Sequence, residues 1–576
     1  MKNSLDCKKL LSYGKELSIF AGIFLVLLFV FSCNNILMRN SGSLVITVPG
    51  ARAASASTFT IELTGSSGSP QSKTISSGAT VQFYDLAPDT YTINVKGMDD
   101  AGTVVLSGSA TATVVAGETT TVPVELQKLL GSLTVNFEGA ESDSVEEYRV
   151  TLSGPGESKE TKEVESRSVS FEGLIPGDYT VSVSGQDTDG NVVLYGTSDA
   201  AVEAGATTSA EVDLMGVVND LSSLQQAVTA GGIVYIGSDI NVASPLTVNT
   251  DVTLLPAYKN VTLTNNSSGN LFTVADSSGN LTIGGGEYTI TLDGNQVAQS
   301  IISVSGGTAT LADNGIITNA AASGIKISSS GTFEMTGGEI SKNKESSTSY
   351  GGGGVTISGG TFNMTGGEIS NNESSTYNGG GGITISGGIF NMTGGRIIDN
   401  TGSQSSGGVT VYSATFNMTG GTITDNTGSF GGAVSLVSGT FDMSGGSITG
   451  NTVTSSGGGV QVSGGTFVLS GGSISNNSAS NGSGVYMSTG SFQMRGSATV
   501  DLSNDVYLSS SKVITVAGTL SGTTPVATIT PSSYTADIQV LSLGNYILEV
   551  SKFALTPDPA GSQWTISDTG YLQQVQ

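Results

Sequence analysis

The feature that most constrains the fold of this chain is a repeat of 25 to 29 residues in its C-terminal half. Each repeat has a phenylalanine, and a methionine or leucine follows it two positions later. An isoleucine lies seven positions and an asparagine ten positions after each of the first six phenylalanines, so the backbone between these positions has a constant length. The phenylalanines are Phe333, Phe362, Phe390, Phe416, Phe441, Phe467 and Phe492.

This constant spacing predicts a stack of coils, because a side chain can occupy the same place in successive coils only if the backbone between does not change length. The phenylalanine, methionine and isoleucine columns are expected to point inward, with Gly-Gly pairs at the corners. The asparagine column predicts an amide ladder with a ~4.8 Å repeat. A propeller would need about 40 residues per blade. We therefore predict a right-handed parallel β-helix over residues 217–504, with outward loops where the repeat length varies.

Both ends of this stack are expected to be capped. Asp220 is a suitable N-cap for a short helix over residues 221–230, which stops at a Gly-Gly pair. Residues 505–576 contain strand-like stretches and Trp564, but they lack the period. They predict a β-rich C-terminal cap that covers the last coil's exposed edge.

A second, longer repeat precedes the β-helix. Gly42-Ser43-Leu44 recurs as Gly131-Ser132-Leu133, and further positions recur at an offset of 88 or 89 residues. Alternating segments bounded by Gly, Asp and Pro turns predict two β-sandwich modules, at 42–128 and 129–216. The Leu-x-Pro-x-x-Tyr-Thr stretches beginning at Leu86 and Leu174 resemble the immunoglobulin-like or transthyretin-like spacers of bacterial surface proteins. The predicted fold class is all-β.

The N-terminal segment has the layout of an export signal. Four lysines precede an apolar stretch, Leu17 to Phe31, that is shorter than the ~20 residues a spanning helix needs. A permanent transmembrane anchor is the alternative. Val30-Phe31-Ser32-Cys33 resembles the lipobox of bacterial lipoproteins. The resemblance implies a signal peptide over 1–33, lipid attachment at Cys33, a tether over 34–41, and a place at the outer membrane or cell surface.

The coils also carry a family resemblance. The array resembles the pectate-lyase-like β-helix superfamily, and Gly431-Gly432-Ala433-Val434 is similar to the Gly-Gly-Ala-aliphatic motif of polymorphic outer-membrane adhesins. The second resemblance implies contact with a host protein, a glycan or a neighbouring cell. Phe-Asn-Met-Thr-Gly-Gly stands where those adhesins have Phe-x-x-Asn.

Composition excludes several kinds of chemistry. The sequence has no histidine, and its two cysteines, Cys7 and Cys33, lie in the N-terminal segment. Imidazole bases, thiol catalysis and most zinc sites are therefore excluded. The net charge of −26 opposes binding of nucleic acid. We expect no cofactor and no resident metal.

Stacking places some charged residues in columns. Glu339, Glu368 and Arg396 occupy the same position in three successive coils. Two carboxylates about 5 Å apart would suit a retaining glycosidase. The favoured interpretation is an exposed column in which Arg396 neutralises Glu368. These three residues are also candidates for contact with a glycan.

Aromatic residues and acidic pairs supply the remaining candidate sites. The loops carry Tyr350, Tyr377 and Phe430, which either stack on sugar rings or pack over their own coils. Asp399 and Asp425 are a weak calcium candidate. The stretch from Asp187 to Asn191 is expected to be a plain turn rather than a calcium loop.

These observations predict a non-enzymatic, lipid-anchored bacterial surface protein, adhesin-like or structural, that presents its β-helix for protein or glycan contact. The partner is an unknown surface protein or glycan, and the membrane is contacted through the lipid. The alternatives are a carbohydrate-binding protein and a polysaccharide-degrading enzyme that uses Glu339 and Glu368. Fold alone does not decide among them.

Overall fold

The structure, a computed structural model, describes residues 41–48, 56–66, 70–76, 80–100, 102, 104–155, 158–296, 300–346 and 350–575. The predicted signal peptide, Cys33 and all but the last residue of the predicted tether lie outside these residues. Within the described ranges, no helix is both long enough and apolar enough to cross a membrane. The chain divides into two compact units, one ending at Met215 and the other beginning at Gly216.

The first β-sheet module of the N-terminal unit has two sheets around one core. Its strands alternate buried and exposed residues, as expected when one face of each sheet packs inward. The three-stranded sheet has Gly42–Thr47 between Thr80–Leu86 and Thr119–Pro123. In order, the five-stranded sheet consists of Gln71–Ser76, Thr58–Thr64, Asp89–Met98, Val104–Val114 and Gln127–Lys128.

The second module repeats this arrangement. One sheet places Gly131–Gly139 antiparallel to Ser168–Leu174 and parallel to Thr207–Val218. In order, the other sheet consists of Ser158–Val164, Glu147–Gly154, Gly177–Gln186 and Val192–Val202. Leu44 pairs with Thr120 in the first module, and Leu133 pairs with Thr208 in the second. The sequence repeat is therefore also a repeat of strand register.

The Leu-x-Pro-x-x-Tyr-Thr stretch forms the same corner in both modules. The hydroxyl of Tyr91 donates to the Ala87 carbonyl at 3.2 Å, and that of Tyr179 donates to the Ile175 carbonyl at 2.9 Å. Both rings are buried. A tyrosine that bonds back to the backbone a few residues upstream is a known corner device of immunoglobulin-like sandwiches.

The second unit is a parallel β-solenoid. Among its described residues, three ladders of parallel strands share one continuous core. We name them the Phe ladder, the Ile ladder and the Val ladder after the side chains that point inward. A fourth, small ladder consists of Lys344–Glu345, Glu373–Ser374, Thr401–Gly402, Thr427–Gly428 and Thr452–Val453.

The Phe ladder contains thirteen described strands in parallel register. Two of its strands bend and also join the Val ladder. In order, it consists of Gly232–Ile236, Asp251–Pro256, Asn280–Ile283, Thr308–Leu311, Thr332–Met335, the second halves of Val355–Met364 and Ile383–Met392, Ala414–Met418, Gly439–Met443, Thr466–Leu469, Ser491–Gly496, Ile514–Leu520 and Leu541–Ser542.

The Ile ladder follows the Phe ladder in each coil. In order, it consists of Ile240–Val242, Val261–Asn265, Ile290–Asp293, Gly315–Thr318, Glu339–Ser341, Glu368–Ser370, Arg396–Ile398, Thr422–Thr424, Ser447–Thr449, Ser473–Ser475 and Thr499–Val500.

The Val ladder precedes the Phe ladder in each repeating coil. In order, it consists of Leu246–Thr247, Phe272–Val274, Ile302–Val304, Ile325–Ile327, the first halves of Val355–Met364 and Ile383–Met392, Val409–Val411, Val434–Leu436, Val460–Val462, Val485–Met487, Asp505–Leu508, Ala527–Pro531 and Phe553–Leu555.

The phenylalanine column is continuous and fully buried. Each of the seven phenylalanines pairs in register with the next, as the repeat predicts. From Phe362 to Phe492 the neighbouring ring centroids lie 4.6 to 4.9 Å apart, with interplanar angles of 6° to 15°. Phe333 is tilted by 49° against Phe362. The aromatic stack therefore forms the axis of the core.

The predicted asparagine ladder is confirmed. The side-chain oxygen of Asn400 accepts from the backbone N–H of Asn372 at 2.9 Å and from its amide at 3.0 Å. The amide of Asn400 in turn donates to Asn426 at 3.0 Å and to the Ile369 carbonyl at 2.8 Å. The same pattern continues to Asn504. Each buried amide thus satisfies the backbone at a corner of the coil.

The Gly-Gly corners have a steric cause. A Cβ on Gly366 would lie 2.2 Å from the Thr336 carbonyl oxygen of the preceding coil. The second glycine of this pair, Gly367, has a φ of 76°, which L side chains rarely adopt. Crowding therefore excludes a side chain at Gly366, and the backbone conformation disfavours one at Gly367.

The two ends of the solenoid differ. At the start, Asp220 caps the helix Leu221–Ala230 through a reciprocal pair of hydrogen bonds with Ser223, and Leu224 and Val228 pack into the core. At the other end, parallel pairing continues past residue 504 as far as Phe553–Leu555. The region assigned to the C-terminal cap therefore first adds strands to the Phe and Val ladders. It ends with the 3-10 helix Ile547–Lys552 and the antiparallel pair Trp564–Ile566 and Leu572–Gln574.

Candidate functional site

The acidic column lies on the Ile ladder. Glu339 pairs in register with Glu368, and Glu368 pairs with Arg396. The Arg396 guanidinium lies 3.5 Å from the Glu368 carboxylate, and both side chains are more than one third exposed. Arg396 therefore neutralises Glu368, as the favoured interpretation predicts. A solvated ion pair of this kind lacks the desolvation that distinguishes catalytic carboxylates.

The loops of variable length fold back over the outer face of the Val ladder. The middle residue of each strand points outward, yet Thr356, Thr384 and Thr410 are buried. The backbone N–H of Gly352 donates to the Thr356 hydroxyl at 2.9 Å, and that of Gly380 donates to the Thr384 hydroxyl at 2.7 Å. A loop residue three positions before each strand thus bonds to a residue within it, so the strand anchors the end of the loop.

Three tyrosines from successive coils come together on this loop surface. Tyr350 and Tyr377 belong to neighbouring loops, and Tyr412 directly follows the strand of the next coil. The rings of Tyr350 and Tyr412 meet edge to face, with centroids 5.2 Å apart. Tyr350 is 54% and Tyr377 is 73% exposed. We call Tyr350, Tyr377 and Tyr412 the tyrosine cluster.

The environment of Tyr412 keeps its hydroxyl protonated. Burial, with smaller contributions from the neighbouring Tyr350 and Tyr377, raises the pKa of Tyr412 to about 12. The phenol therefore remains neutral across the physiological pH range and is available as both donor and acceptor.

Phe430 lies on the same loop surface but further along the solenoid. Its loop comes two coils after that of Tyr377, and its backbone N–H donates to the Ser405 carbonyl of the preceding loop at 3.2 Å. Phe430 is 40% exposed. Of the six residues predicted to contact a glycan, the three aromatic ones therefore share the loop surface, whereas Glu339, Glu368 and Arg396 lie on the Ile ladder.

A second aromatic pair extends the outer face of the Val ladder. Tyr486 and Tyr507 are register partners, and their rings stack with centroids 5.3 Å apart and an angle of 13°. Both side chains are partly exposed. They occupy the column position that Thr410 holds three coils before Tyr486.

A polar groove of about 720 Å³ runs along the outer face of the Phe ladder. Its floor is a second amide column, in which Asn391 donates to Asn363 and Asn417 donates to Asn391, both at 2.8 Å. Asn363 donates to Glu334 at 2.7 Å. These bonds explain the recurrence of Asn-Met-Thr as a structural repeat.

The first calcium candidate is a turn whose carboxylate is hydrogen-bonded within the turn, and the second is a column of residues with positive φ. Asp187 accepts the backbone N–H of Asp189 at 3.0 Å and that of Asn191 at 2.8 Å, which lowers the pKa of its carboxyl together with the side-chain bond from Asn191. Asp399 and Asp425 have φ values of 55° and 56°, so their column needs residues that tolerate the left-handed region. Within the described ranges, no group of three or more acidic, cysteine or histidine side chains could hold a metal ion.

Tyr412, Tyr486 and Tyr507 were not among the site residues predicted from the sequence. A signal was present, because each replaces a small polar residue found at the equivalent position of other coils, such as Ser386 for Tyr412 and Thr410 for Tyr486. Ser386 and Tyr412 both lie four positions before the phenylalanine of their coil, and Thr410 and Tyr486 both lie six positions before it, so an alignment on the phenylalanines already contains these substitutions.

No family model matches this chain, and no curated protein matches it. Among solved structures, the Bacillus anthracis TIE protein is similar at 14% identity over 32% of this chain and 37% of that protein, with a TM-score of 0.24. The minor pilin GBS52 of Streptococcus agalactiae is similar at 12% identity over 31% of this chain and 97% of the pilin, with a TM-score of 0.16.

A further similar structure is a putative cell adhesion protein of Bacteroides eggerthii. It is 9% identical over 30% of this chain and 86% of that protein, with a TM-score of 0.17. This chain covers little more than one third of the Bacillus anthracis protein. At such TM-scores these similarities say nothing about what the chain binds.

Proposed function

We propose that this chain is a non-enzymatic, adhesin-like protein of the bacterial surface that contacts a glycan through the tyrosine cluster. The observation that carries the proposal is the convergence of Tyr350, Tyr377 and Tyr412 from three successive coils at an exposed surface. Aromatic rings stack on the apolar faces of sugar rings, while phenol hydroxyls bond to sugar hydroxyls.

The support of the cluster suits binding. Tyrosine has few rotatable bonds, so it presents a large contact area at a low cost in conformational entropy. The loops that carry Tyr350 and Tyr377 are bonded to buried threonines of the Val ladder. The backbone close to each of these tyrosines is therefore anchored before a ligand arrives, which lowers the cost of association.

The alternative of a polysaccharide-degrading enzyme has less support. Glu339 and Glu368 lie on the Ile ladder, away from the aromatic loop surface, and Glu368 is paired with Arg396. The sequence contains no histidine to act as a base. If purified protein released new reducing ends from neutral or acidic polysaccharides, and Glu368→Gln abolished the release, the enzyme would replace the binding protein.

A glycan array tests the proposal. We expect the full mature chain to bind a defined group of glycans and Tyr377→Ala to weaken this binding at least tenfold. The matched control is Tyr84→Ala, because Tyr84 is also exposed, at 62%, but lies in the first module. Binding that survives Tyr377→Ala and Tyr350→Ala, or an array without hits, would contradict the proposal.

The anchor belongs to the same proposal. A lipid at Cys33 would hold the chain at a membrane, since each buried methylene contributes about 0.8 kcal/mol. Cells that express the chain and are labelled with a radioactive fatty acid are expected to yield a labelled protein, and Cys33→Ala is expected to remove the label. Cys7→Ala is the control, and a label that survives Cys33→Ala would refute the anchor.

A further inference from the structure

We propose that the glycan-binding surface is a track along the solenoid, which takes a linear, neutral glycan several sugar rings long. This inference rests on the proposed function and names its ligand more closely. The track continues from the tyrosine cluster through Phe430 to the stacked pair Tyr486 and Tyr507. It thus assigns binding to residues far from the cluster.

The first step is that these residues share one side of the solenoid. Phe430 lies in a loop that precedes a Val-ladder strand, as Tyr350 and Tyr377 do, whereas Tyr486 and Tyr507 lie within such strands. The loops fold back over the strands, as the contact between Tyr350 and Tyr412 demonstrates. Residues of these loops and outward-facing residues of the strands therefore lie on the same side of the solenoid, with the loop residues farther from the core.

The second step is that the aromatic residues recur in almost every coil of this part of the solenoid. Of seven consecutive coils, counted from the one that begins with Val355 to the one that contains Tyr507, six contribute an aromatic residue to this surface. The remaining coil has Gln461 at the position of Tyr486. Seven coils have six spacings of ~4.8 Å, so the track is on the order of 30 Å long. A linear glycan with about one ring per coil would contact it throughout.

The third step is the chemistry of the surface. The stacked pair Tyr486 and Tyr507 turns its ring faces toward each other, so ring edges and phenol hydroxyls remain for a ligand. The tyrosine cluster adds exposed rings. Residues 217–576 have 8 basic and 21 acidic residues, so an acidic polysaccharide is repelled. These properties together select a neutral chain of hydroxylated rings.

A track of separate contacts makes affinity depend on ligand length. A short oligosaccharide occupies one part of the track, whereas a long one engages the distant contacts as an intramolecular event. Affinity is therefore expected to rise with the number of rings until the track is filled, and then to level off.

The test measures affinity by calorimetry for the full mature chain. The probes are β-1,4-linked oligosaccharides of glucose, of xylose and of mannose, from two to six rings, with polygalacturonate as the acidic comparison. In at least one neutral series we expect the dissociation constant to fall at least tenfold from two rings to six. Polygalacturonate is expected not to bind.

The matched variants are Tyr486→Thr and Tyr507→Thr, combined. Threonine already occupies this column as Thr384, Thr410 and Thr530, so the change suits the strand. We expect the double variant to lose about tenfold in affinity for the six-ring ligand, since two aromatic contacts are removed. Binding of the six-ring ligand by the double variant is expected to fall toward that of the two-ring ligand, and thermal unfolding checks that the variant remains folded. Tyr84→Ala serves again as the control.

The outcomes separate the track from the proposed function. Equal affinity for two and six rings, or no effect of the double variant on the six-ring ligand, would overturn the track and leave the tyrosine cluster as a local site. Binding of polygalacturonate in preference to every neutral series would overturn the neutral ligand. Absence of binding both in all series and on the glycan array would refute the proposed function itself.

Discussion

The sandwich modules and the solenoid both arise from sequence repeats, but they use repetition differently. In each module the repeat of 88 or 89 residues produces one more closed core, such as the one around Phe59 and Ile93. In the solenoid the repeat of 25 to 29 residues extends a single core, which runs from Val218 to Leu572. A module completes its own hydrophobic contacts, whereas a coil depends on its neighbours.

This difference predicts how far a defect spreads. A cavity inside a module leaves the next module's core intact. A cavity inside the phenylalanine stack removes ring contacts from two coils at once. Equivalent substitutions in the two regions therefore test this difference.

The largest expected effect is that of opening the aromatic core. Phe416→Ala removes a ring that stacks on Phe390 and on Phe441, and Phe171→Ala removes a buried ring from the second module. Each is expected to cost about 3–5 kcal/mol of unfolding free energy. By denaturant unfolding, we expect Phe416→Ala to destabilise the whole solenoid transition, whereas Phe171→Ala changes only the transition of the sandwich unit. A single shared shift in both variants would contradict this contrast.

The second effect concerns polar groups in the solenoid. Asn400→Ala leaves the Asn372 backbone N–H without its side-chain acceptor and the Ile369 carbonyl without the side-chain amide that donates to it. Because buried polar groups without partners cost about 1–3 kcal/mol each, we expect a loss of about 3 kcal/mol. Thermal unfolding measures it, with the exposed Asn249→Ala as a control that changes stability by less than about 0.5 kcal/mol. A loss no larger than that of the control would show that the ladder is dispensable.

The third effect concerns the hydrogen bond from a buried tyrosine hydroxyl to a backbone carbonyl, which both modules contain. Tyr179→Phe removes the hydroxyl that donates to the Ile175 carbonyl and keeps the buried ring. We expect a loss of about 1 kcal/mol. Tyr91→Phe should cost a similar amount in the first module, because the bond is equivalent there. Denaturant midpoints of the two variants check this, and a cost equal to that of Asn400→Ala would mean that the modules are as interdependent as the coils.

The fourth effect compares how the two regions bury a phenol. Burial raises the pKa of Tyr179 inside a module, and the pKa of Tyr412 is raised to about 12 beneath neighbouring loops. We expect Tyr350→Ala to lower the pKa of Tyr412 toward 10 by admitting water, and to leave that of Tyr179 unchanged. Phenolate absorbance as a function of pH measures the change, with Tyr84→Ala as the reference variant.

The sign of the associated stability change follows from linkage. A raised phenol pKa means that the unfolded state ionises first, so the contribution of Tyr412 to stability is complete below pH 10 and is lost between about pH 10 and 12. Tyr350→Ala should narrow the pH range over which this contribution to stability is lost. A wild-type unfolding free energy that rises over the same range would contradict the assignment.

The smallest effect is expected at the charged column. Arg396→Ala breaks an exposed ion pair with Glu368 and is expected to change the unfolding free energy by less than about 0.5 kcal/mol. Arg149→Ala in the second module breaks the exposed pair with Glu163 and should be equally mild. Thermal unfolding of both variants tests this, and a large loss for Arg396→Ala alone would show that the column supports the stack.

The sequence predicted the register of the solenoid well because that register is a matter of counting. Phe362 lies against Phe390, and Asn372 lies against Asn400, since the backbone between equivalent positions has constant length. The same method failed where the marker residue changes. Ile514 pairs with Phe492 and Leu541 pairs with Ile514, so the ladder continues without an aromatic signal.

Asn504 and the aromatic surface illustrate a second limit. Asn504 lies twelve rather than ten positions after Phe492, yet it accepts from Asn477 as the ladder requires. The meeting of Tyr350 with Tyr412 depends on how a loop folds back over later coils. The spacing of the columns carries no information on the path of a loop. Contacts between loops of different coils therefore could not be predicted from the repeat.

The confinement of length variation to the loops also describes how such a gene can change. Residues 359–367 and 387–395 are nearly identical stretches one coil apart. Recombination between them would delete or duplicate one complete coil, and the phenylalanine stack and both amide columns would rejoin in register. Such a change would lengthen or shorten the solenoid by whole coils. Any surface that runs along the solenoid axis would then change in length by the same number of coils.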